Sequence, residues 1–275
     1  MRQNKAASLL TAGILTVLAA VSFFPIYLAL INSFKSQGDM FRSFVSLPTS
    51  ISFGNYAEAF DKINLLGSTV NSVIISALGI GGIVLSASLA GYKLSRTTGK
   101  LSQVIFFLFI ASMLVPFHSI MIPLTRMAKS LSVQGSTYGL AIIYIGLGVN
   151  MAIFLYHGFV KSIPRELEEA AYMDGCNEYQ TFFRIIFPLL VPITVTIAIL
   201  DFLWIWNDFL LPLLMLTDSE SFTLILSTNT LFGEYNKDWS LILAALVLTA
   251  IPVILIYSFF QRFIMHGIAE GAVKG

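Results

Sequence analysis

The sequence predicts an all-α membrane protein, because it is apolar, poor in charge and divided into long apolar segments. Of its 275 residues 56% are hydrophobic and only 11% are charged, against about 25% charged in soluble domains. A helix of about 20 apolar residues crosses roughly 30 Å of hydrocarbon, and an isolated strand could not satisfy its backbone there. Six predicted transmembrane helices follow, at about 8–31, 69–92, 103–125, 137–158, 187–216 and 240–262.

The first segment follows Arg2 and Lys5, as a signal peptide would, but it is longer than a signal h-region and lacks an obvious small-residue cleavage site. We therefore expect it to be a retained span. Residues 33–66 are expected to form an ordered loop with a short helix. The second span is rich in glycine, alanine and serine, which favours close helix–helix approach. Five prolines are expected to kink the spans: Pro25, Pro116, Pro192, Pro212 and Pro252.

Lys and Arg near the ends of the spans predict the orientation, since they are more frequent on the cytoplasmic side. With the N-terminus inside, ten of the 16 basic residues fall on the cytoplasmic side. They are Arg2, Lys5, Lys93, Arg96, Lys100, Lys161, Arg165, Arg184, Arg262 and Lys274. Both termini are then cytoplasmic, and so is the polar segment 162–186 between the fourth and fifth spans.

Segment 162–186 is predicted to be two short helices joined at a glycine corner. Ser162 and Pro164 indicate a helix start and acidic residues follow in its first turns, where the helix dipole favours them. Gly175 can end this helix in a left-handed conformation. Asn177 can cap a second helix, with Gln180 at the capping-box position.

Leu167, Ala170, Ala171 and Asp174 share one predicted face of the first helix. Its two alanines make that face shallow, so the backbone of another protein could approach closely. The alternative is an amphipathic helix resting on lipid. Such a helix would carry basic residues and larger apolar ones, whereas this one is acidic and small-faced, so we favour a protein groove with basic residues.

This segment also carries a recognisable pattern: Glu169, Ala170, Ala171, then Gly175, and later Ile185, Phe187 and Pro188. It resembles the EAA loop of the membrane subunits of bacterial ATP-binding-cassette (ABC) importers, with Phe187 in place of the usual leucine. The resemblance implies that the loop couples the chain to an ATPase subunit through Glu169, Ala170, Ala171, Asp174 and Gly175.

The resemblance extends along nearly the whole chain and is strongest to the carbohydrate-uptake branch, typified by the second membrane subunit of the maltose importer. Three further segments carry it: Ser33-Phe34-Lys35, Trp206-Asn207-Asp208-Phe209-Leu210-Leu211-Pro212-Leu213, and the tail Gly267-Ile268-Ala269-Glu270-Gly271-Ala272-Val273-Lys274-Gly275. Glu270 stands where a small residue is commoner. The resemblance implies one permease domain over 1–275, in a heterodimer with a second permease, two ATPase subunits and an extracytoplasmic sugar-binding protein.

No phosphate-binding loop of the type G-x-x-x-x-G-K-[ST] occurs, so ATP and magnesium are expected only in partner subunits. No His pair has metal-ligand spacing and no catalytic set is present, so we expect neither a bound metal nor an enzyme. The net charge of +1 gives no reason to expect nucleic-acid binding. An ion-coupled secondary transporter is the alternative, with Asp201 and Asp208 as ion carriers, but it leaves segment 162–186 unexplained.

Polar residues in the fifth span form a candidate substrate path of Asp201, Trp204, Asn207 and Asp208. Carboxylates near the middle of a bilayer cost about 2.5–3.5 kcal/mol, so they normally face a bundle interior or a wet cavity. Asp201, Trp204 and Asp208 share a helical face. Carboxylates bind sugar hydroxyls and an aromatic ring covers a sugar's C–H face. Two alternatives remain open. Asp208 and Asn207 cap a broken helix or bond to a partner permease, and Trp204 and Trp206 are ordinary packing or interfacial aromatic residues.

Overall fold

The computed structural model describes residues 5–233 and 237–272, and within them every regular element is a helix. Arg2 and the tail residues Val273, Lys274 and Gly275 lie outside the described residues. The helices are α1 (Lys5–Ser33), α2 (Gln37–Arg42), α3 (Gly54–Lys62), α4 (Leu65–Arg96), α5 (Lys100–Ser112), α6 (Phe117–Ser130), α7 (Thr137–Val160), α8 (Glu166–Met173), α9 (Glu178–Thr181), α10 (Phe187–Leu189), α11 (Val191–Asn207), α12 (Leu210–Met215), α13 (Leu224–Thr230) and α14 (Trp239–Ala272). A π-helical turn, Phe182–Ile186, joins α9 to α10. The all-α prediction is confirmed.

The chain divides into two compact units. The first contains Met1–Leu66 and Ser227–Ile254, and the second contains Gly67–Leu226 and Leu255–Gly275. The second unit holds both the EAA-like segment and the candidate substrate path. That the chain acts as one permease domain stays a prediction.

Four described helices are long and apolar enough to cross a membrane: Leu9–Ser33, Leu65–Arg96, Thr137–Val160 and Trp239–Ile256. The number rises to six if two bent helix pairs each count as one span. The first pair lies at the third predicted span, 103–125, and differs from the prediction in continuity. The second pair begins at Glu178, inside segment 162–186, and ends at Asn207, so only its second helix lies within the fifth predicted span, 187–216.

In the third segment, α5 and α6 are bent by 102° at a break before Pro116. At the start of the fifth segment, the helical stretches Glu178–Leu189 and Val191–Asn207 are bent by 74°. Pro116, Pro192 and Pro212 stand at or near the starts of new helices, where proline's missing N–H costs nothing. Pro25 and Pro252, by contrast, lie inside continuous helices.

Glycines bring α4 and α7 close together in the core of the second unit. A Cβ added at Gly91 would lie 2.7 Å from the Cβ of Tyr156 and 3.1 Å from the backbone nitrogen of His157. A Cβ at Gly82 would collide with the side chain of Ile145. The predicted role of small residues in α4 is thus confirmed at these positions, and α4 and α7 form a tightly packed pair that carries the site described below.

In the first unit, the Ser33-Phe34-Lys35 segment ties the loop after α1 to the end of that helix. The Lys35 ammonium is buried and donates to Asn32 Oδ1 and to the Ser43 carbonyl, each at 2.9 Å. Burial lowers the pKa of Lys35. Asn55 donates to the carbonyls of Ser33 and Lys35, both at 2.8 Å. Segment 33–66, which was predicted to be an ordered loop with one short helix, contains two short helices, α2 and α3.

Candidate functional site

The EAA-like segment begins with α8 at Glu166, later than Ser162 and Pro164 suggested. Ser162 does not cap α8; its hydroxyl donates to the Phe159 carbonyl at 2.7 Å and so completes the end of α7. Glu166, Glu168 and Glu169 all lie in the first turn of α8. The acidic start that the sequence predicted is present, with its favourable position at the positive end of the helix dipole.

The corner between the two short helices has the predicted chemistry. Gly175 has a φ of +82°. The N–H of Gly175 donates to the Tyr172 carbonyl and that of Cys176 to the Ala171 carbonyl, each at 3.0 Å, which is the Schellman arrangement at a helix end. Asn177 and Gln180 form a complete capping box at the start of α9. Local side-chain chemistry thus fixes the elbow.

The structure distributes the five predicted coupling residues over two sides of α8. Glu169, Ala170, Asp174 and Gly175 are exposed, whereas Ala171 is only 6% exposed. Ala171 and Glu168, three residues apart, lie on the inner face of the helix. The free surface is therefore narrower than the predicted face, because Ala171 packs inward.

Large apolar side chains project from the same elbow, and of these the sequence analysis singled out only Leu167. Met173 is 88% exposed and Tyr179 is 72% exposed, and Leu167 and Tyr172 are exposed as well. Side chains of this kind, clustered beside acidic residues on a polar segment, are typical of a protein contact surface. Helical spacing was the available signal for Met173, because this residue lies three positions after Ala170 and four after Glu169 and so shares their face of the helix.

The inner face of the elbow is held by polar contacts with the last turns of α4. Arg96 Nε contacts Glu168 Oε1 at 2.6 Å, and Lys93 pairs with Glu178. Tyr92 donates to Glu168 Oε2 at 3.0 Å. None of these α4 residues was singled out as a site residue, because contacts between distant segments leave no local signal.

The candidate substrate path is not a continuous stripe, because the helix ends before Asp208. Asp208 has an extended conformation and its Oδ1 accepts from the N–H groups of Leu210 and Leu211, at 3.0 and 3.4 Å. Its Oδ2 accepts from the Tyr144 hydroxyl at 2.9 Å. Of the alternatives that the sequence left open, the structure shows Asp208 capping a broken helix.

The other three residues of the candidate path divide between the core and the surface of α11. Asp201 is buried, and within the described part of the chain its Oδ2 has no hydrogen-bond partner. Trp204 is 39% exposed and meets the Tyr144 ring edge to face, with centroids 5.3 Å apart. Asn207 is exposed and its side chain donates to the Leu203 carbonyl at 2.8 Å. Trp204 and Asn207 therefore share an open face of α11.

Comparison with known proteins assigns a family. Residues 82–269 match the family described as "Binding-protein-dependent transport system inner membrane component". The chain is 39% identical over 258 residues to the probable starch degradation products transport system permease protein AmyC of Thermoanaerobacterium thermosulfurigenes, covering 94% of each chain. It is 36% identical over 277 residues to the melibiose/raffinose/stachyose import permease protein MelC of Bacillus subtilis (strain 168), covering 98% of this chain and 100% of the relative.

A solved structure has the same fold. With a TM-score of 0.83 and 23% identity, the chain superposes on a bacterial ABC transporter involved in the import of the acidic polysaccharide alginate. The alignment covers 95% of this chain and 98% of that one. The family match spans α4 to α14 and so includes the elbow and both broken segments. This chain belongs to the inner-membrane components of binding-protein-dependent transport systems and is a multi-pass membrane protein.

Proposed function

We propose that this chain is a permease subunit that carries a sugar or oligosaccharide into the cytoplasm by alternating access, driven by ATP hydrolysis in partner subunits. Family membership supports the import role. The names of the similar permeases, which refer to starch degradation products and to melibiose, raffinose and stachyose, support a saccharide as solute.

The exposed elbow of α8 and α9 is the observation that carries this proposal. Its corner is fixed by Gly175 and by the Asn177–Gln180 capping box, so it presents a defined shape rather than a flexible loop. Met173 and Tyr179 project from it with no covering group among the described residues. An ordered apolar tip is costly in water unless a partner covers it.

Each coupling residue has a role in the proposed contact with the ATPase. Met173 and Tyr179 enter an apolar groove, and Ala170 lets the groove wall approach closely. Glu169 and Asp174 meet basic residues at the rim, where charge complementarity governs orientation and rate of association. Ala171 acts from the inner side by seating α8, and Gly175 sets the angle of the elbow.

The proposed assembly contains this chain, a second homologous permease, two ATPase subunits and an extracytoplasmic sugar-binding protein. ATP and magnesium bind to the ATPase subunits, and this chain holds no cofactor. The excess of basic residues on one side supports cytoplasmic termini and a cytoplasmic elbow. That is the side on which ATP hydrolysis acts.

For the solute pathway we propose the open face of α11. The half-exposed Trp204 ring can cover the C–H face of a sugar, and the Asn207 amide can bond to its hydroxyls. Asp201 is buried behind this face and Asp208 is engaged in the helix cap. Asp208 therefore has a supporting role in the pathway, because it holds the turn after α11.

Reconstitution tests the function directly. The complex with its partner permease, ATPase and binding protein is placed in vesicles, and uptake of labelled raffinose and of maltooligosaccharides is measured with and without ATP. We expect uptake only with ATP and the binding protein, unaffected by ionophores that collapse ion gradients. Uptake by this chain alone along an ion gradient would establish the secondary-transporter alternative instead.

A further inference from the structure

The inner side of the elbow contains a buried ion pair between segments far apart in sequence. Arg96 Nε and Glu168 Oε1 are 2.6 Å apart, although the residues are separated by 72 positions. Their side chains are only 13% and 9% exposed. The next residue, Glu169, is exposed. Two adjacent glutamates thus face opposite ways, one into this chain and one away from it.

Further hydrogen bonds complete this pair. The second oxygen of Glu168 accepts from the Tyr92 hydroxyl at 3.0 Å. Arg96 Nη2 donates to the Ile163 carbonyl, in the turn before α8, at 2.8 Å. Tyr92 and Arg96 are one helical turn apart on α4, so they reach the elbow together. Both oxygens of Glu168 are therefore occupied within the chain.

Tyr92 also contacts the far end of the elbow. The centroids of the Tyr92 and Phe182 rings are 5.2 Å apart, and Phe182 is the first residue of the π-helical turn after α9. Phe182 is buried. The end of α4 thus touches the turn before α8, α8 itself and the segment after α9, while Gly91 seats α4 against α7.

We propose that Tyr92, Arg96 and Glu168, here called the α4 clamp, are positioning residues that transmit movement of the elbow into α4. The inference rests on the proposed function, in which an ATPase displaces the elbow. Without the clamp, movement would pass into α7 and α11, the long helices that flank the elbow in sequence, and into α4 only through the exposed Lys93–Glu178 pair and the apolar contact of Tyr92 with Phe182. With the clamp closed, α4, α7 and the elbow move as one body.

Burial is what makes the clamp persistent. Separating a buried ion pair leaves two charges without compensation, so the pair resists opening. The nearby pair of Lys93 and Glu178 joins the same two segments, but its side chains are 62% and 52% exposed. Water screens such a pair and it contributes little. The buried and the exposed ion pair connect α4 to the same elbow, so substitutions in the two pairs can be compared directly.

The test uses the full complex with its ATPase, partner permease and binding protein in vesicles. Sugar uptake and ATP hydrolysis are measured together, and their ratio is compared among variants. We expect Glu168→Gln and Arg96→Gln to lower uptake per ATP by about tenfold, within the range of typical coupling between sites. Lys93→Gln, the control, should leave the ratio within about twofold of wild type.

Two further variants guard against misfolding. Tyr92→Phe removes one hydroxyl and keeps the ion pair, so it should assemble normally and lower the ratio by about two- to threefold. The double variant Arg96→Gln/Glu168→Gln leaves no unpaired charge, and its ratio should fall no further than that of either single variant.

The outcomes separate the inference from the function on which it rests. A merely structural role would reduce the amount of assembled complex without changing uptake per ATP. An unchanged ratio in Glu168→Gln, Arg96→Gln and Tyr92→Phe, with wild-type uptake intact, would overturn the clamp alone. Absence of ATP-driven uptake by the wild-type complex would overturn the proposed function, and the clamp with it.

Discussion

Replacing Gly175 should weaken the contact between the elbow and the ATPase, by an amount set by the backbone alone. The φ of +82° is one that residues with a Cβ rarely adopt. A Cβ at this position would meet no atom within 4 Å, so steric contact adds nothing to the cost. For alanine the left-handed conformation costs about 1–2 kcal/mol.

That cost corresponds to a population change of about 5- to 30-fold. If docking requires the native elbow, affinity for the ATPase should fall by up to this factor in Gly175→Ala. The affinity of Gly175→Asn for the ATPase should fall less, since asparagine tolerates this conformation. The affinity of Gly175→Val should fall most. The affinity is measured by titrating labelled ATPase onto the two permeases in lipid nanodiscs.

Gly158→Ala is the matched control. A Cβ there also meets no atom within 4 Å, but the residue lies within α7 and has no positive φ. Alanine should therefore stabilise the helix by about 0.5–1 kcal/mol and leave docking unchanged. Wild-type affinity in both Gly175→Ala and Gly175→Val would refute the argument that the left-handed corner shapes the docking surface.

Three other substitutions probe separate parts of the chain. Met173→Ser should weaken ATPase binding by about 1–3 kcal/mol through lost apolar burial, while the thermal unfolding of the free permease stays unchanged because this side chain is 88% exposed. Asp208→Ala should lower the free energy of unfolding by about 0.5–2 kcal/mol through loss of the cap. Adding Tyr144→Phe should lower it little further, since both changes remove the same 2.9 Å hydrogen bond between the Tyr144 hydroxyl and Asp208 Oδ2. Fully additive losses would contradict that pairing. Trp204→Ala should reduce uptake at low sugar concentration by about three- to tenfold, while Trp204→Phe should retain most of the wild-type uptake. Equal uptake by the two variants would exclude Trp204 from the path.

The elbow could be predicted from sequence because its determinants are local. Gly175 and the Asn177–Gln180 box act on backbone groups within a few residues, so spacing alone specifies them. Four of the six predicted spans correspond to single long helices for a similar reason, since span length depends on composition. The start of α8 was placed less well, because Ser162 uses its hydroxyl to finish the preceding helix.

The continuity of the fifth segment could not be predicted from spacing. Asp201 and Asp208 share a face only if one helix runs through both, and the helix ends at Asn207. Pro212 and the Asn207–Asp208 pair were the available signals for a break, and a cap on a broken helix was therefore left open as an alternative, but an apolar composition continuing to 216 equally favoured one continuous helix. An apolar composition indicates which residues can lie in lipid. Where the helix ends in this segment depends on a hydrogen-bonding side chain, that of Asp208.

Which glutamate of α8 faces inward depends on α4, and so no pattern within 162–186 could decide it. Glu168 and Glu169 have the same chemistry and adjacent positions, and only the approach of Arg96 from 72 residues away distinguishes them. Once Glu168 is paired, the helix has one orientation: Ala171 turns inward one turn later, and Glu169, Ala170 and Met173 turn outward. The buried pair therefore does more than attach the elbow, because it selects which side chains an ATPase can reach. The same contact would then set both the composition of the docking surface and the path by which its movement reaches α4.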